Sequence, residues 1–361
     1  MYPRTRYLEW AIANGGKHRY DLATSGIATK AACALVDPAG ASLHDLAGPE
    51  KLRAAIARAN DVPVSNVVAT LGTAHGVWLA YATLLSPGDE LVVEAPAYEP
   101  LVGAALGIGA VVKRFERRAE SGFAVDPDAV LRALGPETKV VLLTNLHNPS
   151  GARTPNEVLT AIATGAAKNG TTLVVDEVYA PFDALIDDAG VWRDSARKLG
   201  DNVVTMSSLT KCYGLGPHRV GWLLGPPAVV AQAETVLLTT CGALPLAHAC
   251  LALRAFENLA ALATNGRAGL AKRRDLVAEW VAARTDVEWT APDNGLFGFV
   301  RVKKVNANVR AAVEASMKED DVIVVPGEFF EMPNGFRLAW ALDEALIPEA
   351  LVRLGRMIDR M

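Results

Sequence analysis

The chain has 361 residues, with 36 Lys and Arg against 40 Asp and Glu and a formal net charge of −4. That balance excludes the basic surplus of a dedicated nucleic-acid or anionic-membrane binder. Charged residues make up 21% and apolar ones 51%, so the chain can bury a large core, and its length predicts two domains.

In chain order, the first 21 residues hold no apolar run followed by a small-residue cleavage site, so no targeting segment is expected. An apolar run at 67–71 leads into a helical pattern at 74–85. Short β-branched runs follow at 90–94, 111–115, 139–144, 171–175, 203–206 and 220–224, with a further helical pattern at 155–169. Each run is bounded by Gly, Pro, Asn or Asp, as expected of strands buried on both faces. This alternation predicts an α/β layer structure with a mainly parallel sheet. Residues 235–253 are uncharged and long enough to span a bilayer, but Gly242 and Pro245 split them and flanking aromatic and basic residues are missing, so a buried loop and helix are expected. The last hundred residues predict one long helix over 246–285 broken near Asn265-Gly266, strands at 296–302, 322–325 and 335–340, and a terminal helix from about 348, an α+β pattern. Cys33, Cys212, Cys241 and Cys250 form no CxxC pair and are too few for a disulfide framework, which points to the cytoplasm.

Several chemistries drop out. There is no GxxxxGK[ST] loop, no GxSxG elbow and no HExxH, and six scattered histidines predict no metal site. Gly107-Ile108-Gly109 precedes a strand, the wrong side for dinucleotide binding. What remains are polar clusters at strand ends, where open α/β sheets bind ligands. They are Asn145 to Gly151 after 139–144, Asp176-Glu177-Val178-Tyr179 after 171–175, and Ser207 to Lys211 with Arg219 after 203–206.

These clusters resemble the class I/II aminotransferases, the aspartate-aminotransferase-like enzymes of fold type I that use pyridoxal 5′-phosphate (PLP). Asn148-Pro149-Ser150-Gly151 resembles the family's NP[ST]G, Asp176 to Tyr179 its DExY, and Ser208 to Arg219 its SxxK…R. Gly48 to Arg53 resembles its GxxxLR, and Ala95 to Tyr98 its PxY segment. Asn294 to Phe297, Val325-Pro326-Gly327 and Phe336-Arg337-Leu338 match later landmarks. The resemblance implies a large domain over 46–262 with a mainly parallel, seven-stranded type of sheet between helices. It also implies a smaller α+β domain formed by 1–45 together with 263–361, and a homodimer.

It further implies roles. A PLP enzyme needs an amine to hold the aldehyde as a Schiff base and then move protons at Cα, and Lys211, in a Ser/Thr-lined turn at a strand end, is the candidate. Asp176 would keep the pyridine nitrogen protonated; a helix N-cap is the other reading. Glu177, next to it, points the other way and is structural. Tyr179 and Asn148 resemble the donors to the ring's phenolate oxygen, although Asn148 also suits a simple turn before Pro149. Arg219, Ser208 and Thr210, with backbone N–H groups of Gly72-Thr73-Ala74 at a helix start, would hold the phosphate. Tyr98 resembles the ring stacked on the cofactor, or is a half-buried core residue. Arg337, between Phe336 and Leu338, resembles the clamp for the substrate carboxylate; a salt bridge to a protein carboxylate is the alternative. Gly26, with Ser25, resembles the loop that closes over that carboxylate.

One departure stands out. Where the family often places a tyrosine that reaches the partner subunit's phosphate, this chain has Leu43 and His44. No second arginine marks a dicarboxylate pocket, and Trp10, His18, His75 and Trp78 are left unassigned. The implied activity is transamination between an L-amino acid and a 2-oxo acid. Elimination, cyclisation, decarboxylation or oxidation on the same cofactor is the first alternative, because the cofactor fixes only the carbanion. A non-catalytic ligand sensor is the second, though the chain has no spare DNA-binding segment.

Overall fold

The computed structural model describes residues 2–36, 44–183, 187, 191, 192 and 194–361. The chain opens with α1 (Arg6–Asn14), β1 (Tyr20–Asp21) and α2 (Thr29–Cys33). Helices and strands then alternate through α3 (Gly48–Asn60), β2 (Val67–Thr70), α4 (Thr73–Leu84), β3 (Glu90–Ala95), α5 (Glu99–Ile108), β4 (Val111–Glu116), α6 (Pro127–Arg132), β5 (Thr138–Thr144), α7 (Asn156–Ala167) and β6 (Thr172–Asp176). After β7 (Val203–Ser208) and β8 (Gly221–Leu224) come α8 (Pro227–Cys241), α9 (Leu246–Glu257), α10 (Leu259–Arg267) and α11 (Leu270–Ala282). The chain ends with β9 (Val287–Glu288), β10 (Phe297–Val302), α12 (Val309–Glu319), β11 (Val322–Ile323), β12 (Val325–Pro326), β13 (Gly335–Ala339) and α13 (Ile347–Asp359).

Strands β2 to β8 form one sheet in the order β2-β8-β7-β6-β5-β3-β4. Only β8 runs antiparallel to its neighbours, so the sheet is mainly parallel, as expected. Side chains alternate between its two faces. Leu91, Val93, Leu142, Val174 and Met206 pack with α4 and α5 on one side. Val92, Val141, Leu143, Leu173 and Val175 pack with Leu159 and Ile162 of α7 on the other. Continuous apolar runs are what a strand covered on both faces requires.

A second core joins the two ends of the chain. Tyr7, Trp10, Tyr20 and Leu22 pack with Phe297, Phe299, Phe336, Leu338 and Trp340, and with Leu351 and Leu354 of α13. There β12-β13-β10-β9 form an antiparallel sheet, while β1 pairs in parallel with β11.

Three expectations need correction. The helix over 246–285 is three helices, and α9 turns by 72° against the helices that follow it. Asn258 makes the extra break: its backbone leaves the helical region and its Nδ2 donates to the Arg254 carbonyl at 3.0 Å, capping α9. The second break falls at Ala268-Gly269, with Gly269 left-handed, and not at Asn265-Gly266. The 235–253 segment is exposed around its turn, not buried. Only Val230 and Ala233 of α8 are buried, so its second half runs beyond the elements it packs on. No single helix among the described residues is long and apolar enough to cross a membrane. Finally, 322–325 is two strands, because the chain changes partners at Val324, from β1 to β13.

Candidate active site

The sheet register brings the predicted clusters to one edge. Thr144 at the end of β5 pairs with Asp176 of β6, Asp176 with Met206 of β7, and Ser208 with Gly221 at the start of β8. A cavity of about 530 Å³ opens there. Its wall includes Gly26, Thr73, Ala74, Tyr98, Asn148 and Asp176, and also Tyr179, Thr210, Lys211 and Arg219. Gly72, Ser208 and Arg337 stand directly behind that wall, each against a residue in it.

One end of the cavity is built for an anion. Thr73 Oγ1 donates to Ser208 Oγ at 2.9 Å, and Ser208 and Thr210 hydroxyls meet at 2.7 Å. Thr73 also starts α4, whose first N–H groups lack intrahelical partners. Gly72 is favoured by its backbone, and a side chain there would push Arg219 aside. The φ of Gly72 is +78°, and a Cβ there would come within 2.5 Å of Arg219 Nη2. Arg219 is itself left-handed at φ 53°, with its carbonyl 2.9 Å from His248 Nε2. Its guanidinium has only long contacts to the Gly216 and Leu71 carbonyls and, among the described residues, no carboxylate partner. Three hydroxyls, a helix start and a free guanidinium suit a phosphate dianion.

The middle of the cavity holds Asp176 and Lys211. Asp176 is 5% exposed, and its Oδ1 accepts one hydrogen bond, from the Val178 N–H at 3.0 Å. Burial pushes its carboxyl up to about 7, against the Val178 bond and the Lys211 charge. A cationic ring N–H is the partner this carboxylate lacks. Lys211 Nζ donates to Ser25 Oγ at 3.2 Å, Tyr179 OH donates to the same oxygen at 3.1 Å, and the ammonium sits 5.3 Å from the Tyr179 ring centre. These donors and the anion cradle fit PLP. Glu177 faces away, taking hydrogen bonds from Ser195 Oγ and the Ala196 N–H, and burial pushes it up to about 8.

The Asp176 shift has a measurable consequence. Because its folded pKa lies above the ordinary 3.8, the folded state holds an extra proton between that value and about 7, and stability falls as pH rises through the window. The cofactor-free protein is therefore expected to melt at a higher temperature near pH 6 than near pH 8. Asp176→Asn should flatten that slope, leaving the same-signed part from Glu177. An unchanged slope in the variant's melting curves would remove Asp176 as the buried acid.

Arg337 is fully buried. Its Nη1 donates to Asn148 Oδ1 at 3.0 Å, and its Nη2 to Tyr7 OH at 3.0 Å and the Ala23 carbonyl at 2.8 Å, while Nε has no partner among the described residues. All its partners are neutral, so the alternative of a protein salt bridge finds no support among the described residues. A buried guanidinium without an anion is an anion site in waiting.

The sequence reading missed Tyr7 and the support beneath Asn148. Tyr7 lies on α1 and packs edge-on against Tyr98 with ring centres 5.4 Å apart. Glu94 and Arg117 form a fully buried ion pair at 2.8 Å. Glu94 Oε1 also accepts from the Thr144 N–H and hydroxyl, and that hydroxyl accepts the Asn148 N–H at 3.2 Å. Burial pushes the Glu94 carboxyl up and the Arg117 guanidinium down, and their pairing opposes both. Burial and the Arg117 charge hold His147 well below its ordinary range, hence neutral. Its Nε2–H donates to the Pro96 carbonyl at 3.0 Å, which leaves Nδ1 to accept the Ser150 hydroxyl at 2.7 Å. His147 thus ties the Asn148 turn to the Pro96–Tyr98 segment. A signal was present in the sequence: Glu94 ends a fully apolar run, where a charge requires a partner. Of the unassigned residues, Trp10 lines the cavity, while His18 meets Asp321 and Trp78 meets Tyr2 OH elsewhere. His75 Nδ1 accepts the Leu71 N–H. His44 is exposed, and Leu43 lies outside the described residues.

Comparison with known proteins agrees with this chemistry. The profile of the family "Aminotransferase class I and II" matches residues 20–354. The chain is 31% identical to the arginine–pyruvate transaminase of Pseudomonas aeruginosa over 325 residues, covering 86% of this chain and 80% of that one. It is 31% identical to capreomycidine synthase of Streptomyces vinaceus over 297 residues, covering 81% and 75%. A PLP-dependent aminotransferase of Streptococcus suis has the same fold, with a TM-score of 0.87, 21% identity and coverage of 99% and 98%. With its fold, its anion cradle and its matched sequence taken together, the chain belongs to the aminotransferase class I and II family, the PLP-dependent transaminases of fold type I.

Proposed function

We propose that the chain moves an amino group from an L-amino acid to a 2-oxo acid in this cavity, with Lys211 as the proton carrier. One observation carries the reading: Lys211 shares one cavity with the buried Asp176 carboxyl and with Arg219, and neither Arg219 nor Arg337 just behind the wall has a carboxylate partner among the described residues. Arg219, Thr73, Ser208, Thr210 and the start of α4, including Gly72 and Ala74, would hold the cofactor phosphate. Asp176 would hold the proton on the ring nitrogen, Tyr179 and Asn148 would donate to the ring oxygen, and Tyr98 would cover one ring face. Bound there, PLP supplies the electron sink for the pair left when the substrate Cα–H bond breaks, and carries the amino group between half-reactions. Arg337, backed by Asn148 and Tyr7, would fix the substrate carboxylate, and Gly26 would close over it from a loop that runs beside Lys211, whose Cδ lies 3.8 Å from where a Cβ would be, an ordinary contact distance. Lys211 then takes the Cα proton and returns it on the cofactor side.

Residues 46–262 would form the large domain, and 1–45 with 263–361 the small one, which the mixed core of both chain ends supports. A cytoplasmic homodimer follows from the family resemblance and the sparse cysteines. Leu46 and Leu238, 87% and 65% exposed, are apolar surface that a second subunit would cover, and exposed His44 stands where the resemblance expects an intersubunit tyrosine.

The test is a half-reaction. The visible band of the bound cofactor should bleach on adding one amino acid without acceptor and return on adding a 2-oxo acid. Similarity to capreomycidine synthase favours a second reading, cyclisation on the same residues. A donor converted to a cyclic product while the band is retained, with no 2-oxo acid formed or needed, would select it.

A further inference from the structure

The carboxylate anchor is set in an apolar chamber. Tyr7 touches the Arg337 guanidinium, and Tyr7, Trp10 and Ala11 fall at i, i+3 and i+4 on α1, which places them on one helix face. All three line the cavity. Across from them, Val325 of β12 pairs directly with Arg337 of β13, and Ile323, two residues earlier, also lines the cavity, as does Leu101. Among the described residues the charged side chains of the wall are Asp176, Lys211 and Arg219, and the transaminase reading already engages each of them.

We propose that the site selects amino acids with large, uncharged, apolar side chains, aliphatic or aromatic, and that the Tyr7–Trp10–Ala11 face of α1 is the selecting element. The proposal rests on the transaminase reading. A substrate held by its carboxylate at Arg337 sets its side chain among these apolar groups. A second carboxylate would lose its water there without gaining a cation, and a guanidinium would do so without gaining a carboxylate. Methyl and methylene groups gain from the same burial.

The test uses the holoenzyme and single donors at equal concentration: leucine, phenylalanine and methionine against aspartate, glutamate and arginine. The rate of cofactor-band bleaching per unit concentration is expected to favour the first group by about a hundredfold or more, the scale at which a mismatched pocket discriminates. Non-reacting carboxylates give a readout without turnover: by calorimetry isocaproate should bind more tightly than succinate. Ala11→Lys places a cation on the selecting face and should shift the leucine-to-aspartate ratio toward aspartate by about tenfold or more. Trp10→Ala should raise KM for phenylalanine with the PLP dissociation constant unchanged. Aspartate or arginine reacting as fast as leucine in the parent enzyme overturns the substrate class. A ratio unmoved by Ala11→Lys overturns the role of α1. Failure of the transaminase reading looks different, since no donor of either group would then bleach the band.

Discussion

Lys211→Ala is expected to lower turnover by about ten-thousandfold or more, the combined loss of a positioned acid–base group and of the amine that holds the cofactor. The geometry makes this a clean experiment. Among the described residues Lys211 Nζ has one hydrogen-bond partner, the neutral Ser25 hydroxyl, so removing it breaks no hydrogen-bonded ion pair. The proposed phosphate cradle of Thr73, Ser208, Thr210 and Arg219 is untouched, and the variant should still take up PLP, read by absorbance titration. Its melting temperature should stay near that of the parent. One electrostatic change follows as well. The Lys211 charge restrains the Asp176 pKa in the parent, so its loss should move that carboxyl further up. Turnover within about tenfold of the parent would rule Lys211 out as the proton carrier.

The second large effect lies where no chemistry occurs. Glu94→Gln leaves Arg117 as an unpaired cation with no exposed surface, and breaking such a pair on one side costs about 3–5 kcal/mol. The loss should appear as a lower denaturation midpoint in urea. Activity should fall too, because Glu94 holds the Thr144 hydroxyl that receives the Asn148 N–H, and Asn148 contacts Arg337. Replacing both partners, Glu94→Leu with Arg117→Met, should recover much of the stability, since an apolar pair of similar volume carries no desolvation cost. It should not recover activity, because Thr144 remains unsupported. A Glu94→Gln protein as stable as the parent would show that Arg117 finds another anion.

Sequence periodicity read the large sheet well because most of its strands are short, apolar on both faces and closed by turn residues; edge strand β4, with Val111 exposed and Lys113 and Arg114 within it, departs from the expected burial. Few architectures besides a covered parallel sheet produce that pattern. The candidate site residues stood out for a related reason: Asp176 ends an apolar run, Arg337 sits between Phe336 and Leu338, and Lys211 lies in a Ser/Thr-lined turn at a strand end. Helix breaks were less legible. Asn258 interrupts α9 through its own side-chain hydrogen bond, a local choice that competes with the helix and leaves no mark on hydrophobic spacing. The partner switch at Val324 was hidden because either strand alone is two residues long. Tyr7 was invisible as a site residue because its role depends on Arg337, 330 positions away. No local pattern encodes a contact of that span.

That span also orders the site in time. The phosphate cradle and Asp176 come from segments within the first 219 residues, whereas the carboxylate anchor needs β13 to return against α1 and β1. Contacts between distant segments form late, and during synthesis the earlier segments are available first. On the proposed roles, a nascent chain would hold the residues for the cofactor before the one for the substrate carboxylate. On those roles, a chain stopped before Arg337 would lack the group that orients the amino acid.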